Sequence, residues 1–594
     1  MIFDGRCGFC GIWIDYWKKL TADTVDYAPS QEVADRFPEI PREAFAQAVQ
    51  LVRVDGTVAS GACAVFETLG HERLYASSSL VAGASERAYR FIARHRDLFY
   101  WLTRLSFGTR IEPARFATTQ WLFLRLLAVI YAIAFGSLAT QIAGLVGARG
   151  ISPVHDYLER FAAAVNPMFG PIRFLALPTV FWWNSSDAML RILAWAGLAL
   201  AVILFFGVPR GWVRWILLSL YILYLSLDMA GQEFLSFQWD SLLLEAGFLA
   251  IFFGQSVSAT RAVAWLYRCL VFRLYFLSGY VKLGSHDPAW AGFTALRYHF
   301  HTQPLPTVIA WYADKLPDWF QRGSTAGVLG IELFLPFLIF TPRRCRMAGA
   351  CVLLGLQTLI FLTGNYTFFN LLTMALTLFL FDDQALAPII QRNITERPST
   401  KRARMGLALL AVVVLTLGIA RMAETIAGTV PEPLETLTRD LSPFQVVNSY
   451  GLFAVMTTTR PEIVVEGSDD GENWKPYEFR YKPGDLYRAP GWIQPFQPRL
   501  DWQMWFAALG SYQSNPWFPG LMLRLLQDSP EVLGLLESNP FPSHPPRFVR
   551  AELFDYSFTD RETHTRTGAW WKREALGIYL PPVGIKAAQE SPNR

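Results

Sequence analysis

TQWLFLRLLAVIYAIAFGSLATQ, residues 119–141, carries a single charged side chain, Arg125, in 23 positions. A bilayer core is crossed by roughly 17–25 predominantly apolar residues in a helix, so this stretch predicts a membrane span. Eight further apolar runs follow, near 187–207, 211–228, 237–254, 262–283, 324–340, 344–362, 366–381 and 405–421. The sequence therefore predicts a multi-pass α-helical membrane protein of about nine spans, occupying 118–421. Soluble zones flank it, an N-terminal α/β domain over 1–105 and a C-terminal β-rich domain over 425–590.

Composition agrees. Of 594 residues, 17% are charged and 52% hydrophobic, and the formal net charge is +4. Ordinary soluble proteins carry about 25% charged residues. So near-even a balance gives no footprint for nucleic acid, and the apolar content excludes disorder. The six cysteines, at 7, 10, 63, 269, 345 and 351, are too few for a disulfide-stapled secreted scaffold. The opening Met1-Ile-Phe-Asp-Gly-Arg-Cys lacks the apolar run of a cleavable signal, which predicts a cytosolic N-terminus. Basic connections stay on the cytosolic side of a membrane. With the N-terminus inside, four basic connections fall there: Pro209–Arg214, the turn ending at Arg261, Arg343–Arg346, and 382–404 with Arg392, Arg397, Lys401, Arg402 and Arg404. Asp228–Ser236, with two acids and no base, falls outside, and nine spans leave the C-terminus outside or lumenal.

In the N-terminal zone, Ile2-Phe3 predicts a short strand and Cys7–Leu20 a helix. Ala48–Thr57 predicts a strand closed by an Asp55-Gly56 turn, and Ser60–Leu69 a helix. Asp4-Gly5-Arg6-Cys7-Gly8-Phe9-Cys10 thus sets a CxxC at a helix start, where free N–H groups and the helix dipole favour a Cys7 thiolate that Cys10 can resolve. The competing reading is a structural or metal-binding pair, but a four-cysteine zinc site needs a second CxxC, which is lacking. The segment resembles the DCC-type (DxxCxxC) thiol-disulfide oxidoreductase family, which implies a thioredoxin-like fold, a redox pair at Cys7 and Cys10, and a cytosolic thiol partner.

Ionisable groups inside a bilayer are costly and mark sites by default. Asp240 and Glu245 lie in the fourth run, Arg273 and Lys282 in the fifth, and Glu332 in the sixth. Arg297, His299 and His301 follow the fifth, in Arg-Tyr-His-Phe-His-Thr-Gln-Pro. Either Asp240, Glu245 and Glu332 neutralise Arg273, Arg297 and Lys282 as structural pairs, or the set lines a polar pocket for a client segment or small ligand, with Lys282 as its base. On a strand, His299 and His301 would share a face, yet a metal would need a third ligand, so none is expected.

In the C-terminal zone, Glu462–Gly467, the turn Asp469–Asn473 and Tyr477–Tyr481 predict a hairpin. Leu521–Leu536 predicts two short helices broken at Pro530, and Val549–Phe558 a strand. Arg499 and Asp501 are expected to pair with each other. Trp492, Trp502, Trp505, Trp517, Trp570 and Trp571 serve either as core and interface anchors or as a patch that holds a client. There is no HExxH, phosphate loop or Ser-His-Asp ordering to support a hydrolase or nucleotide enzyme.

Several of these stretches together resemble the lipase maturation factor family. They are Phe237–Ala250, Lys282, Tyr298–Pro304, Asn448–Phe453, Glu466–Gly471, Asn539-Pro540-Phe541, Trp570-Trp571, and Arg499-Leu-Asp501-Trp502 with Trp505. The resemblance covers roughly 115–585. It implies a membrane-embedded factor, without a cofactor, that helps secreted proteins such as lipases fold and assemble. It also implies residence in the endoplasmic reticulum membrane, or the inner membrane of a bacterium. Tyr275–Leu283 with Trp290 and Gly292 is similar to the segment around the base lysine of vitamin K-dependent γ-glutamyl carboxylases, which maps onto Lys282. The alternative function is accordingly an enzyme, either disulfide redox at Cys7/Cys10 or carboxylase-like or quinone-linked chemistry at Lys282.

Overall fold

The computed structural model describes residues 1–109, 111–169, 173–254, 257–390, 392 and 400–585. Arg397 of the basic connection and positions 586–590 lie outside the described residues. The chain divides into two compact units, Met1–Arg115 with Phe340–Gly349, and Phe116–Ile339 with Ala350–Arg594.

The first unit opens with β1 (Ile2–Phe3), α1 (Gly8–Thr21), β2 (Ala28–Pro29), β3 (Gln50–Val52) and β4 (Val58–Ser60). It continues with α2 (Gly61–Thr68), α3 (Ser79–Arg94) and α4 (Arg96–Phe107). The sheet order is β2-β1-β3-β4, with β1 and β2 parallel and the other pairs antiparallel. β4 was not expected from the sequence. The Asp55-Gly56 turn folds it back onto β3, and Gly56 takes a φ of +82° that a side chain would resist. Phe3, Ile14, Val49, Ala59 and Ala64 form the core between sheet and helices.

The second unit holds α5 (Ala117–Ala139), α6 (Asp187–Phe206), α7 (Arg210–Gly231), α8 (Gln238–Ala250) and α9 (Val257–Gly284). After these come α10 (Ala295–Thr302), α11 (Asp318–Phe334), α12 (Arg343–Thr363, counted in this unit from Ala350 on), α13 (Phe368–Thr377) and α14 (Lys401–Ala427). Among the described residues seven helices are long and apolar enough to cross a membrane, not nine. Two of the apolar runs give only α8, of 13 residues, and α13, of 10. At 1.5 Å per residue each is about 20 Å or less, short of a core roughly 30 Å thick.

Contacts explain the short lengths. α8 begins beside Tyr224, midway along the third crossing segment (Arg210–Leu235), and Ile251 just past its end accepts a bond from Arg214 near that segment's start. After α13, Asp383 accepts the amides of Ala117, Thr118 and Thr119 and so caps the start of α5. Phe253 and Phe379, which follow the two short helices, both pack on Phe123 and Tyr267. Each short helix therefore covers only half of the helical body. The space beyond their N-termini is filled by a helix from the C-terminal region.

That region contains β5 (Pro461–Ser468), β6 (Lys475–Pro476), β7 (Glu478–Phe479), α15 (Arg499–Ala508) and α16 (Phe518–Leu526). It ends with β8 (Leu536–Ser538), β9 (Phe548–Phe558) and β10 (Trp571–Val583). The main sheet runs β10-β9-β5-β6. The hairpin expected at 462–481 forms only in part: β6 pairs with β5, while β7 leaves to pair with β8.

Candidate functional site

α15 meets the helical body through Arg499. Its guanidinium straddles Asp240 of α8, Nη1 donating to Oδ2 at 2.6 Å and Nη2 to Oδ1 at 2.7 Å. The Tyr224 hydroxyl donates to the same Oδ1 at 2.5 Å, and Arg499 and Asp240 are fully buried. Arg499 does not pair with Asp501 as expected, because side chains two apart on a helix point in different directions. Asp501 instead accepts the amides of Tyr481 and Lys482, both at 2.9 Å. Burial pushes its carboxyl above the ordinary range, and those two amides oppose the shift. Trp502 packs between Trp239 and Tyr366, ring centroids 4.7 and 5.7 Å away, and Trp505 donates its indole N–H to the Thr302 carbonyl at 2.8 Å.

A second junction forms at Glu245, on α8 more than one turn past Asp240. One carboxylate oxygen takes Arg273 of α9; the other accepts the Asn448 amide at 2.9 Å and the Tyr450 hydroxyl at 2.8 Å. A third involves Lys282 of α9, whose ammonium contacts Glu332 of α11 at 2.6 Å, donates to the Ser278 carbonyl at 3.2 Å and lies 5.3 Å from the Trp290 ring centre. Gly279 permits this approach, since a Cβ there would stand 2.9 Å from Glu332 Cβ. Lys282, Glu332, His299, Tyr366 and Asn370 line a cavity of about 100 Å³. Among the described residues the Tyr366 hydroxyl and Asn370 Oδ1 have no hydrogen-bond partner.

The structure separates the remaining sequence-selected residues. His299 and His301 lie on a helix, not a strand. His299 faces the cavity, where burial and the nearby Lys282 ammonium push its pKa down to about 4, while His301 contacts Asp314 at 2.9 Å. Arg297 forms an exposed pair with Asp318 at 3.7 Å. Of the tryptophans singled out in the C-terminal zone, Trp502, Trp505, Trp517 and Trp571 are buried and Trp492 is exposed. Among the described residues no cluster of three His, Cys, Asp or Glu is placed to hold a metal ion.

Sequence reasoning missed Arg460, Glu462 and Lys482. Arg460 is fully buried, donates to the carbonyls of His301 at 2.8 Å and Pro304 at 2.7 Å, and pairs with Glu462, which Lys482 also reaches at 2.9 Å. Glu462 and Lys482 sit in or near predicted strands whose alternation says nothing about partners, so no local signal marked them.

In the first unit, Cys7 caps α1 with extended backbone, its Sγ accepting the Cys10 amide at 3.2 Å. The Cys10 thiol and amide, with Arg96 nearby, hold the Cys7 thiol down to about 6 against the effect of burial. Cys10 is pushed well above its usual value, first by that same bond to Cys7.

Comparison with known proteins accords with this geometry. The family model described as the lipase maturation factor transmembrane domain matches residues 118–388, and that of the lipase maturation factor C-terminal domain matches 446–581. Lipase maturation factor 1 of Mus musculus is 33% identical, the match covering 81% of this chain and 90% of the relative. The chain belongs to the lipase maturation factor family. Lipase maturation factor 2 of Homo sapiens is 35% identical, with 78% of this chain and 82% of that protein covered. Human lipase maturation factor 1 is 31% identical, over 80% and 89% respectively. No solved structure matches. The two family ranges contain both sides of the Asp240–Arg499 and Glu245–Tyr450 junctions, so the family's two regions are joined here by buried charge.

Proposed function

We propose that this chain is a membrane-embedded maturation factor that assists the folding and assembly of secreted proteins, lipases among them. The observation that carries the reading is the insertion of α15 into the helical body, fastened by Arg499 to Asp240 and by Trp502 to Trp239. A soluble region anchored in this way is a rigid platform beside the bilayer, suited to holding a client as it leaves the membrane surface. The relatives' names, which specify lipase maturation, support the client class. In this reading α8 and α13, which end beside the starts of α7 and α5, return the chain to the cytosolic side, so the basic connections stay with a cytosolic N-terminus and the C-terminal region lies on the lumenal side of the endoplasmic reticulum, or outside a bacterial inner membrane. Asp240, Glu245, Arg273, Arg499, Asp501, Trp502 and Trp505 hold the platform, and Lys282, Glu332 and His299 hold α9, α11 and α10 together around the small cavity.

The N-terminal unit is, in the same reading, a thioredoxin-like dithiol domain of the DCC type that exchanges electrons with a cytosolic thiol partner. Its support is the sheet order β2-β1-β3-β4 with a parallel β1–β2 pair, and Cys7 at the start of the helix that follows β1. The test is the activity per unit mass of a lipase secreted by cells with and without the gene. A fall in activity per unit mass supports the role; an unchanged value with the gene deleted refutes it.

A further inference from the structure

Behind the cysteine pair the first unit contains a cavity of about 440 Å³. Its lining is almost wholly apolar: Trp13 and Trp17 from α1, Val49 beside β3, Ala88 from α3 and Phe99 from α4, with Cys10 reaching it as well. Ligand pockets are typically about 300–1,000 Å³, apolar, with a few polar groups that fix orientation. Here Asp4 and Arg96 pair with each other at 3.7 Å, Ser85 and Thr103 bring hydroxyls, and two aromatic groups bring donors. The Trp13 indole N–H is buried and has no partner among the described residues. Tyr89, also in the lining, accepts the Val49 amide on its hydroxyl oxygen at 3.0 Å and keeps its own hydrogen to donate.

An apolar chamber with donors and a thiol selects its occupant. A peptide would bring a run of backbone N–H groups, more than the few oxygens of Asp4, Ser85 and Thr103 can accept, and each buried without an acceptor costs on the order of 1–3 kcal/mol. A quinone brings a flat apolar ring and two carbonyl oxygens, which only accept. A chain with, among its described residues, seven helices long and apolar enough to cross a membrane has lipid-soluble quinones within reach. On α4, which also supplies Phe99, the side chains of Leu98, Trp101 and Leu105 are 51, 59 and 52% exposed and form an apolar stripe suited to a bilayer surface.

We propose that this cavity admits a lipid-soluble quinone that reoxidises the Cys7–Cys10 pair. The inference rests on the dithiol reading given above. In the step, the Cys7 thiolate and the Cys10 thiol lose two electrons as the Cys7–Cys10 S–S bond forms. The quinone takes both electrons, and its two oxygens take the Cys10 proton and one proton from water, giving the hydroquinone.

The experiment uses the full-length chain, reduced, in lipid nanodiscs. Decylubiquinone, whose substituted ring does not add thiols, is compared with diamide, a polar oxidant, and the Cys7–Cys10 disulfide is followed by peptide mass spectrometry after alkylation. The expected result is one hydroquinone per disulfide formed. Replacing Trp13→Phe, which removes the indole N–H together with the five-membered ring that carries it, should lower the ratio of quinone rate to diamide rate roughly three- to tenfold. Ala88→Trp, which fills the chamber, should lower that ratio further. A disulfide formed by diamide and never by the quinone overturns the proposal, as do undiminished ratios in both variants. If neither oxidant forms the disulfide, the dithiol reading fails as well.

Discussion

Replacing Asp240→Asn keeps the side chain's shape and removes its charge. Arg499 would then remain fully buried on α15 without the carboxylate that receives its two bonds at 2.6 and 2.7 Å. The asparagine carbonyl oxygen can still accept from the Tyr224 hydroxyl and one Arg499 N–H, but the other Arg499 N–H would face an amide NH2 in place of an oxygen. Removing one partner of a buried ion pair costs about 3–5 kcal/mol, because the surviving charge has no water to replace it. At about 1.4 kcal/mol per decade, that raises the open population of the α15 junction by roughly two to three and a half powers of ten. Limited proteolysis of the C-terminal region in detergent, beside thermal unfolding, measures the effect. Cleavage within residues 445–585 should accelerate well before the helical body unfolds. Asp240→Leu combined with Arg499→Met removes both charges and should recover most of the lost stability, since apolar replacements of buried pairs are often neutral. A D240N protein as resistant as the parent would refute the reasoning, as would a double variant no better than D240N.

Further outcomes follow from the other junctions. Asp501→Ala frees the buried amides of Tyr481 and Lys482 and should lower stability by about 1–3 kcal/mol, read as a shift in the thermal transition. Gly279→Val drives a side chain into Glu332, and should lower the transition temperature by more than Gly279→Ala does. The Cys7 thiol, held down to about 6, becomes more reactive as pH rises through that value, because the thiolate is the nucleophile. Iodoacetamide labelling of Cys7 should therefore climb between about pH 5 and 7 and then level off, while Cys10 stays unlabelled. A midpoint near 8.5, the ordinary thiol value, would remove the case for an activated cysteine. Arg297→Ala breaks an exposed pair and should leave the thermal transition unchanged, exposed ion pairs contributing little.

The amino-acid sequence by itself determined what depends on neighbours in the chain. Apolar runs such as 119–141 become membrane-length helices because each satisfies its own backbone hydrogen bonds and exposes apolar side chains all round. Cys7 sits at a helix start because the residues after it have helical spacing, and the break in 521–536 falls just before Pro530, which cannot continue the first helix and opens the second, Pro530–Leu533. Tertiary structure alone decided the rest. The run at 366–381 is apolar like a span and that at 237–254 carries only Asp240 and Glu245 as charges, yet both give short helices, with Trp502 of the distant α15 packed beside their starts at Trp239 and Tyr366. Asp240 had Arg273, Lys282 and Arg297 nearby in sequence, but it pairs with an arginine 259 residues away. Helical spacing states which face a carboxylate occupies; which partner arrives there depends on long-range packing, and a buried carboxylate is stable only beside the cation or amide donors that packing delivers.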